Sequence, residues 1–119
     1  MNPTAKIDPT TFADLQAATG DDFVVELVQT FSEETPALLT ELRRAHGARA
    51  AERFRRAAHS LKGNASTFGA TRLAELARTL EIGGISEGPA ELNALDALDN
   101  EYADALVALK TLAGVRQHG

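Results

Sequence analysis

The 119-residue chain has no cysteine and no tryptophan, four prolines, and only five Phe and one Tyr as aromatic residues. Without cysteine there is no disulfide framework, no thiolate nucleophile and no Cys-ligated zinc or iron–sulfur cluster, which suits a reducing compartment. Long apolar runs are missing too. The longest, Ala105 to Leu109, is far short of the ~20 residues of a membrane span, and no basic start leads into a signal-like apolar stretch. These absences describe a soluble, cytoplasmic protein with no membrane segment. Strand-favouring Val and Ile number only eight, against 22 Ala and 15 Leu, so the composition is that of an all-helical fold. At roughly 150 residues per domain, residues 1–119 make one unit, with a core over about 7–112.

A strongly basic balance is absent as well. The net charge of −5 argues against a general nucleic-acid binder, and few aromatics are available for base stacking. The charge is uneven, however. Arg43, Arg44, Arg49, Arg53, Arg55, Arg56 and Lys62 face the single acid Glu52 across that stretch, a local +6 that leaves −11 for the rest. A solvated helix face is the plain account of such a cluster. A local positive field for an acidic or phosphorylated partner is the sharper one.

The apolar periodicity marks a short lead-in helix and four longer ones. Asp8-Pro9 suits an N-cap with proline at the first helical position, Ile7 can staple onto Phe12, and Gly20 stops the lead-in near Thr19. Asp21 or Asp22 is expected to cap the next segment. Its stripe is Phe23, Leu27, Phe31, Leu38 and Leu42, with Val24, Val28 and Leu39 alongside. The stripe keeps phase across Pro36, which favours a kinked continuous helix over two helices and leaves the break open. Gly47 ends it. A third helix starts near Arg49 and carries Phe54, Ala58, Leu61, Ala65 and Phe68, with Gly69 as its stop. The fourth begins near Thr71 and shows Leu73, Leu76, Ala77 and Leu80, before the glycines Gly83, Gly84 and Gly88. Pro89 opens the last, with Leu92, Leu95, Leu98, Tyr102, Leu106, Leu109 and Leu112. Each helix is apolar on one side only and short connections make neighbours antiparallel, so the expected fold is an antiparallel up-down four-helix bundle preceded by a short N-terminal helix.

One place offends packing logic. With Phe54 set to zero and about 100° per residue, Lys62 falls near ~80°, Arg55 ~100°, Ser66 ~120°, His59 ~140° and Gly63 ~180°. These five share a solvent-side flank. A glycine within a helix costs about 1 kcal/mol relative to alanine, so Gly63 asks for a reason. Helical side chains lean toward the N-terminus, and any side chain at position 63 would reach back over His59. Close helix packing is the alternative reason, and its place opposite the apolar stripe counts against it. Lys62, three residues after His59, is near enough to meet a charge attached to the ring. An exposed imidazole, a cleared space and cations at Arg55 and Lys62 describe a site for a phosphoryl group. An ordinary imidazole, with pKa ~6.5, is mostly neutral at pH 7 and competent to attack phosphorus.

Neither G-x-x-x-x-G-K-[ST] nor G-x-G-x-x-G occurs, so no nucleotide loop is evident, and there is no metal-binding acid cluster. E-x-x-H and H-E-x-x-H are absent too, which disfavours di-iron and zinc-hydrolase chemistry. The chain is therefore expected to bind no cofactor, the partner bringing Mg²⁺ and most of the catalysis. His46 beside Gly47 and His118 in the tail read as structural or incidental.

The stretch from Ala58 through His59-Ser60-Leu61-Lys62-Gly63 to Phe68-Gly69-Ala70, continuing through Leu73, Leu76 and Leu80-Glu81, resembles the signature of histidine-containing phosphotransfer (HPt) domains. The resemblance spans roughly Ile7 to Leu112, with Phe31 to Pro36 similar to the family's second helix. It implies a four-helix bundle with His59 as phosphoacceptor and Lys62 and Gly63 as its electrostatic and steric supports. It also implies response-regulator receiver domains and a hybrid sensor histidine kinase as partners of a carrier without kinase activity of its own. Arg55, Arg56, Ser66 and Glu81 are assigned to partner contact. In some members a Gln at the position of Glu81 orients the imidazole; an ionised Glu81 accepts a hydrogen bond but donates none. Met1 and the short tail permit a free-standing protein, taken as a monomer, and equally an excised kinase module. Two other classes are a scaffolding bundle, which would not need His59, Lys62 and Gly63 together, and a basic-patch nucleic-acid binder, which a salt titration of binding would reveal.

Overall fold

A computed structural model describes residues 6–86 and 90–114, and the Ala- and Leu-rich segments there are helical throughout, with no strand among the described residues. The helices are α1 (Pro9–Thr19), α2 (Asp21–Gly47), α3 (Ala51–Thr67), α4 (Thr71–Gly83) and α5 (Ala90–Leu112). None of them is long and apolar enough to cross a membrane.

Local chemistry sets most boundaries. Asp8 caps α1, its carboxylate accepting from the Thr10 amide at 3.2 Å and the Thr11 hydroxyl at 2.7 Å, while Pro9 occupies the first helical position. Ile7 and Phe12 are both buried, as a staple requires. The start of α2 differs from expectation. Gly20, at φ 92°, is the cap and no side chain bonds there, because a one-residue reversal between helices needs a conformation that glycine adopts freely. Asp21 and Asp22 lie instead in the first turn, where their charge complements the helix N-terminus.

Helix α2 runs unbroken through Pro36. Pro36 has no N–H for the carbonyl of Ser32, one turn earlier, and Tyr102 of α5 donates its hydroxyl to that oxygen at 3.2 Å. The buried line of α2 is Val24, Val28, Phe31, Thr35, Leu39, Leu42 and Ala45, about one residue round from the expected stripe. Phe23 is 49% exposed, and Leu27 and Leu38 are only partly buried. The expected stripe followed the largest side chains, whereas the packed face also admits Thr35 and Ala45, whose small size lets neighbours approach. The helix ends at Gly47, yet the left-handed residue that turns the chain is Arg49, at φ 57°. Its amide donates to the His46 carbonyl at 3.1 Å and the Ala50 amide to that of Ala45 at 2.9 Å, the paired bonds of a Schellman turn. Helix α3 therefore starts two residues later than Arg49.

The α3–α4 turn repeats this pattern with Gly69 at φ 78°. Here glycine is doubly required, since a Cβ would lie 2.9 Å from Thr11 Cβ and 3.0 Å from the Asp8 carbonyl. The Asp8 amide bonds the Gly69 carbonyl at 2.7 Å, fastening the start of α1 to this turn.

Helix α2 packs on α3 and α5, α4 packs on α3 and α5, and α1 rests on α2. Phe31 stacks between Phe68 and Tyr102, at 5.1 and 5.5 Å between ring centroids. Along α5 the buried residues include Leu95, Leu98, Glu101, Ala105, Ala108 and Leu109, whereas Leu92 is 45% exposed. That departs from the expected stripe of leucines and Tyr102, because Ala105 and Ala108 are fully buried and Glu101 is held by Lys6 Nζ at 3.1 Å. Gly88, Pro89 and His118 lie outside the described residues.

Candidate functional site

Helix α3 takes its orientation from Phe54, Ala57, Ala58, Leu61 and Ala65, all buried, with Phe68 just beyond. Truncating a buried Phe such as Phe54 costs about 3–5 kcal/mol, so this face resists rotation. With that face inward, Arg55, Arg56, His59, Gly63 and Ser66 are exposed and Lys62 is half-buried, as the helical rotation predicts. The His59 side chain is 63% exposed. At Gly63 a Cβ would meet nothing within 4 Å, and the backbone is helical, so neither packing nor a special φ calls for glycine there.

The partner of the imidazole comes from α4. Leu73, Ala77 and Leu80 bury that helix, and Ala74 and Ala77, two turns and one turn before Glu81, are small enough to let it lie close to α3. Glu81 Oε2 is then 2.7 Å from His59 Nδ1, and its Oε1 is 2.8 Å from Lys62 Nζ. Hydrogen bonds from Lys62 first and His59 second hold the Glu81 carboxyl below the usual glutamate range. An ionised carboxylate only accepts, so the tautomer that fits carries its proton on Nδ1. Nε2 keeps its lone pair and meets no hydrogen-bond partner among the described residues. The imidazole is thus oriented from behind by Glu81, with Nε2 open in front.

Of the two accounts of the arginine run, internal pairing favours the solvated helix face. Arg55 is gripped by Glu52 through Nε at 3.2 Å and Nη2 at 2.5 Å, and Arg56 lies 3.9 Å from the same carboxylate. Arg53 pairs with Glu41 at 2.9 Å, and Arg43 with Asp96 and Asp99 at 2.8 and 2.6 Å. Lys62 itself rests on Glu81. Acids from three other helix segments thus match much of the local +6, and the solvated-face account describes the run better than a bare positive field.

Ser66 lines a shallow groove with Thr11, Lys62, Thr71, Glu75 and Arg78. Sequence reasoning passed over Arg78, although its place three residues before Glu81 puts both on one side of α4. His46 is half-buried, its Nε2 3.2 Å from Glu91 Oε1. Glu91 also accepts from the Ser86 amide and hydroxyl, and those bonds hold its carboxyl low. The Arg49 guanidinium donates to the Ser86 carbonyl at 3.0 Å, so His46 belongs to a clasp between the end of α2 and the start of α5. Among the described residues no group of three or more His, Asp or Glu side chains is placed to hold a metal ion.

A family model described as Hpt domain matches residues 26–110. The crystal structure of histidine-containing phosphotransfer protein B (HptB) from Pseudomonas aeruginosa PAO1 is similar, with a TM-score of 0.78 and 26% sequence identity over 93% of this chain and 96% of that one. No curated protein matches the sequence.

Proposed function

The chain belongs to the Hpt domain family, and from that premise we propose that it is a phosphorelay carrier that accepts a phosphoryl group on His59 Nε2 from the aspartyl phosphate of a receiver domain and passes it to, or back from, another. The observation that carries this reading is the Glu81 carboxylate, which holds His59 Nδ1 at 2.7 Å and Lys62 Nζ at 2.8 Å at once. The Nε2 lone pair forms the N–P bond as the P–O bond to the aspartyl carboxylate breaks, and that carboxylate leaves with the electron pair. With Nδ1 still protonated the ring becomes cationic, and the charge falls opposite Glu81. A carboxylate behind the imidazole thus fixes the tautomer and stabilises the positive ring, as in hydrolase triads. Lys62 stands beside the incoming phosphoryl oxygens.

Transfer of this kind rests on in-line positioning and charge neutralisation, for which Mg²⁺ is assigned to the receiver, since the carboxylate nearest the ring is already engaged by Lys62 and His59. The chain is a carrier without kinase activity of its own. The cycle of contacts α2–α3–α4–α5 supports an up-down four-helix bundle, with α1 as an added short helix. We treat residues 1–119 as one such unit.

The test is to mix wild-type protein and His59→Gln with a panel of receiver domains carrying labelled aspartyl phosphate. Label moving to wild type and not to His59→Gln is the expected result. Label reaching neither, from any receiver, overturns the reading.

A further inference from the structure

We propose that Arg78 on α4 is a docking residue that reads an acidic side chain on the face of the receiver domain. This inference rests on the phosphocarrier reading and concerns which cation of this chain meets the partner.

Arg43, Arg53, Arg55 and Arg56 each have a carboxylate within 4 Å, Arg49 bonds a backbone carbonyl, and Lys62 bonds Glu81. Arg78 is exposed and, among the described residues, neither a carboxylate within 4.0 Å nor a hydrogen-bond partner engages its guanidinium. Glu75, on the same groove, forms no ion pair with it. A partner's carboxylate would therefore meet Arg78 without displacing an internal one, whereas at Arg55 it must compete with a two-bonded Glu52.

Position supports the same assignment. Arg78 shares with Lys62 and Ser66 the groove that flanks the His59 face of α3. Side chains of a helix lean toward its N-terminus, which carries the Arg78 head toward Thr71 and away from His59, to the rim of the site rather than onto the reacting atoms. The chemistry of the partner supplies the complement. A domain that holds Mg²⁺ beside an acyl phosphate does so with carboxylates, so the surface brought to His59 is acidic around its centre. A guanidinium matches a carboxylate with two parallel hydrogen bonds. The phosphoryl group is the other source of negative charge nearby, and it is already flanked by Lys62.

The experiment measures single-turnover transfer from the receiver that serves wild type fastest, across receiver concentrations and at two salt levels. Wild type, Arg78→Ala, Arg78→Glu and Arg72→Glu are compared, with thermal melts to show that each folds. Arg72 lies six residues away on another side of α4 and outside the groove, so its reversal controls for net charge. Direct loading by phosphoramidate, a small donor with no docking surface, reports on His59 alone. For Arg78→Ala the half-saturating receiver concentration should rise about three- to fivefold, and for Arg78→Glu about tenfold, with the saturating rate unchanged. The penalty should shrink near 0.5 M salt, and phosphoramidate loading and phosphohistidine lifetime should match wild type. Arg72→Glu should behave as wild type. Arg78→Glu with wild-type concentration dependence, or with no larger effect than Arg72→Glu, overturns the docking role. A changed phosphoramidate rate or phosphoryl lifetime in Arg78→Ala also overturns it, making Arg78 a phosphoryl contact. Failure of wild type to take label from any receiver overturns the phosphocarrier reading itself, a different result from either of these.

Discussion

Replacing Gly63 should make the protein more stable and a worse phosphoryl acceptor at the same time. The position is exposed and helical, and a Cβ there has no atom within 4 Å, so a side chain has nothing to collide with. Exchanging a mid-helix glycine for alanine gains up to ~1 kcal/mol, and Gln follows closely in helix propensity. For a chain of this length ~1 kcal/mol corresponds to roughly 4 °C in Tm. Function should move the other way. A side chain at 63 leans back over residue 59, and a Gln there would stand in front of a ring whose other nitrogen is pinned to Glu81. In-line transfer needs the reacting atoms within ~3–3.5 Å, so a few atoms in the approach path suffice to block it. Gly63→Gln should melt no lower than wild type, while single-turnover transfer from a phosphorylated receiver falls at least tenfold, about 1.4 kcal/mol of transition-state stabilisation. Gly63→Ala should keep the stability gain and lose less rate. A Gly63→Gln protein that unfolds while its folded fraction transfers normally would refute the reasoning and make the glycine a packing residue.

Lys62→Ala should shorten the phosphohistidine lifetime or slow transfer by an amount on the order of 1 kcal/mol without abolishing modification, and wild-type lifetime and rate by acid-labile label would remove its electrostatic role. Gly69→Ala should lower Tm sharply, because it places a Cβ 2.9 Å from Thr11 Cβ in a backbone at φ 78°, while transfer by the folded protein persists; an unchanged melt would contradict the close approach of α1. The Glu81 carboxyl is held low by Lys62 first and His59 second, so its stabilising contribution is complete above the ordinary glutamate range and is lost as pH falls through the depressed folded value. Carboxyl ¹³C NMR should place its midpoint below that of an ordinary glutamate, moving upward in Lys62→Ala, and a midpoint at or above the ordinary value would argue against the bridge.

The face of α3 is legible in the sequence because Phe54, Ala58, Leu61, Ala65 and Phe68 leave one rotation possible, and that rotation alone exposes His59 and Gly63. What pairs across helices is not. Glu81 lies 22 residues from His59, a pairing the sequence reaches only through the family resemblance, and Asp96 and Asp99 lie 53 and 56 from Arg43, where only tertiary packing reveals the match. The shift of the α2 stripe has a related cause. Thr35 and Ala45 carry little apolar weight in a periodicity but fit where helices approach closely, while Phe23 is left outside. Arg49 in a left-handed turn has no signal at all, since a glycine stands two residues earlier and draws the prediction. The proline of α2 is half-legible: its phase argues for continuity, and only the fold shows Tyr102 serving the carbonyl it leaves free.

The most direct measurement of the central claim is NMR of the ¹⁵N-histidine-labelled protein after transfer from a ³¹P-aspartyl receiver. The account predicts one phosphoryl group per chain, bonded to His59 Nε2, with Nδ1 still protonated against Glu81, and no acid-labile phosphate on His59→Gln. Phosphate on Nδ1, on another residue, or on His59→Gln would contradict it.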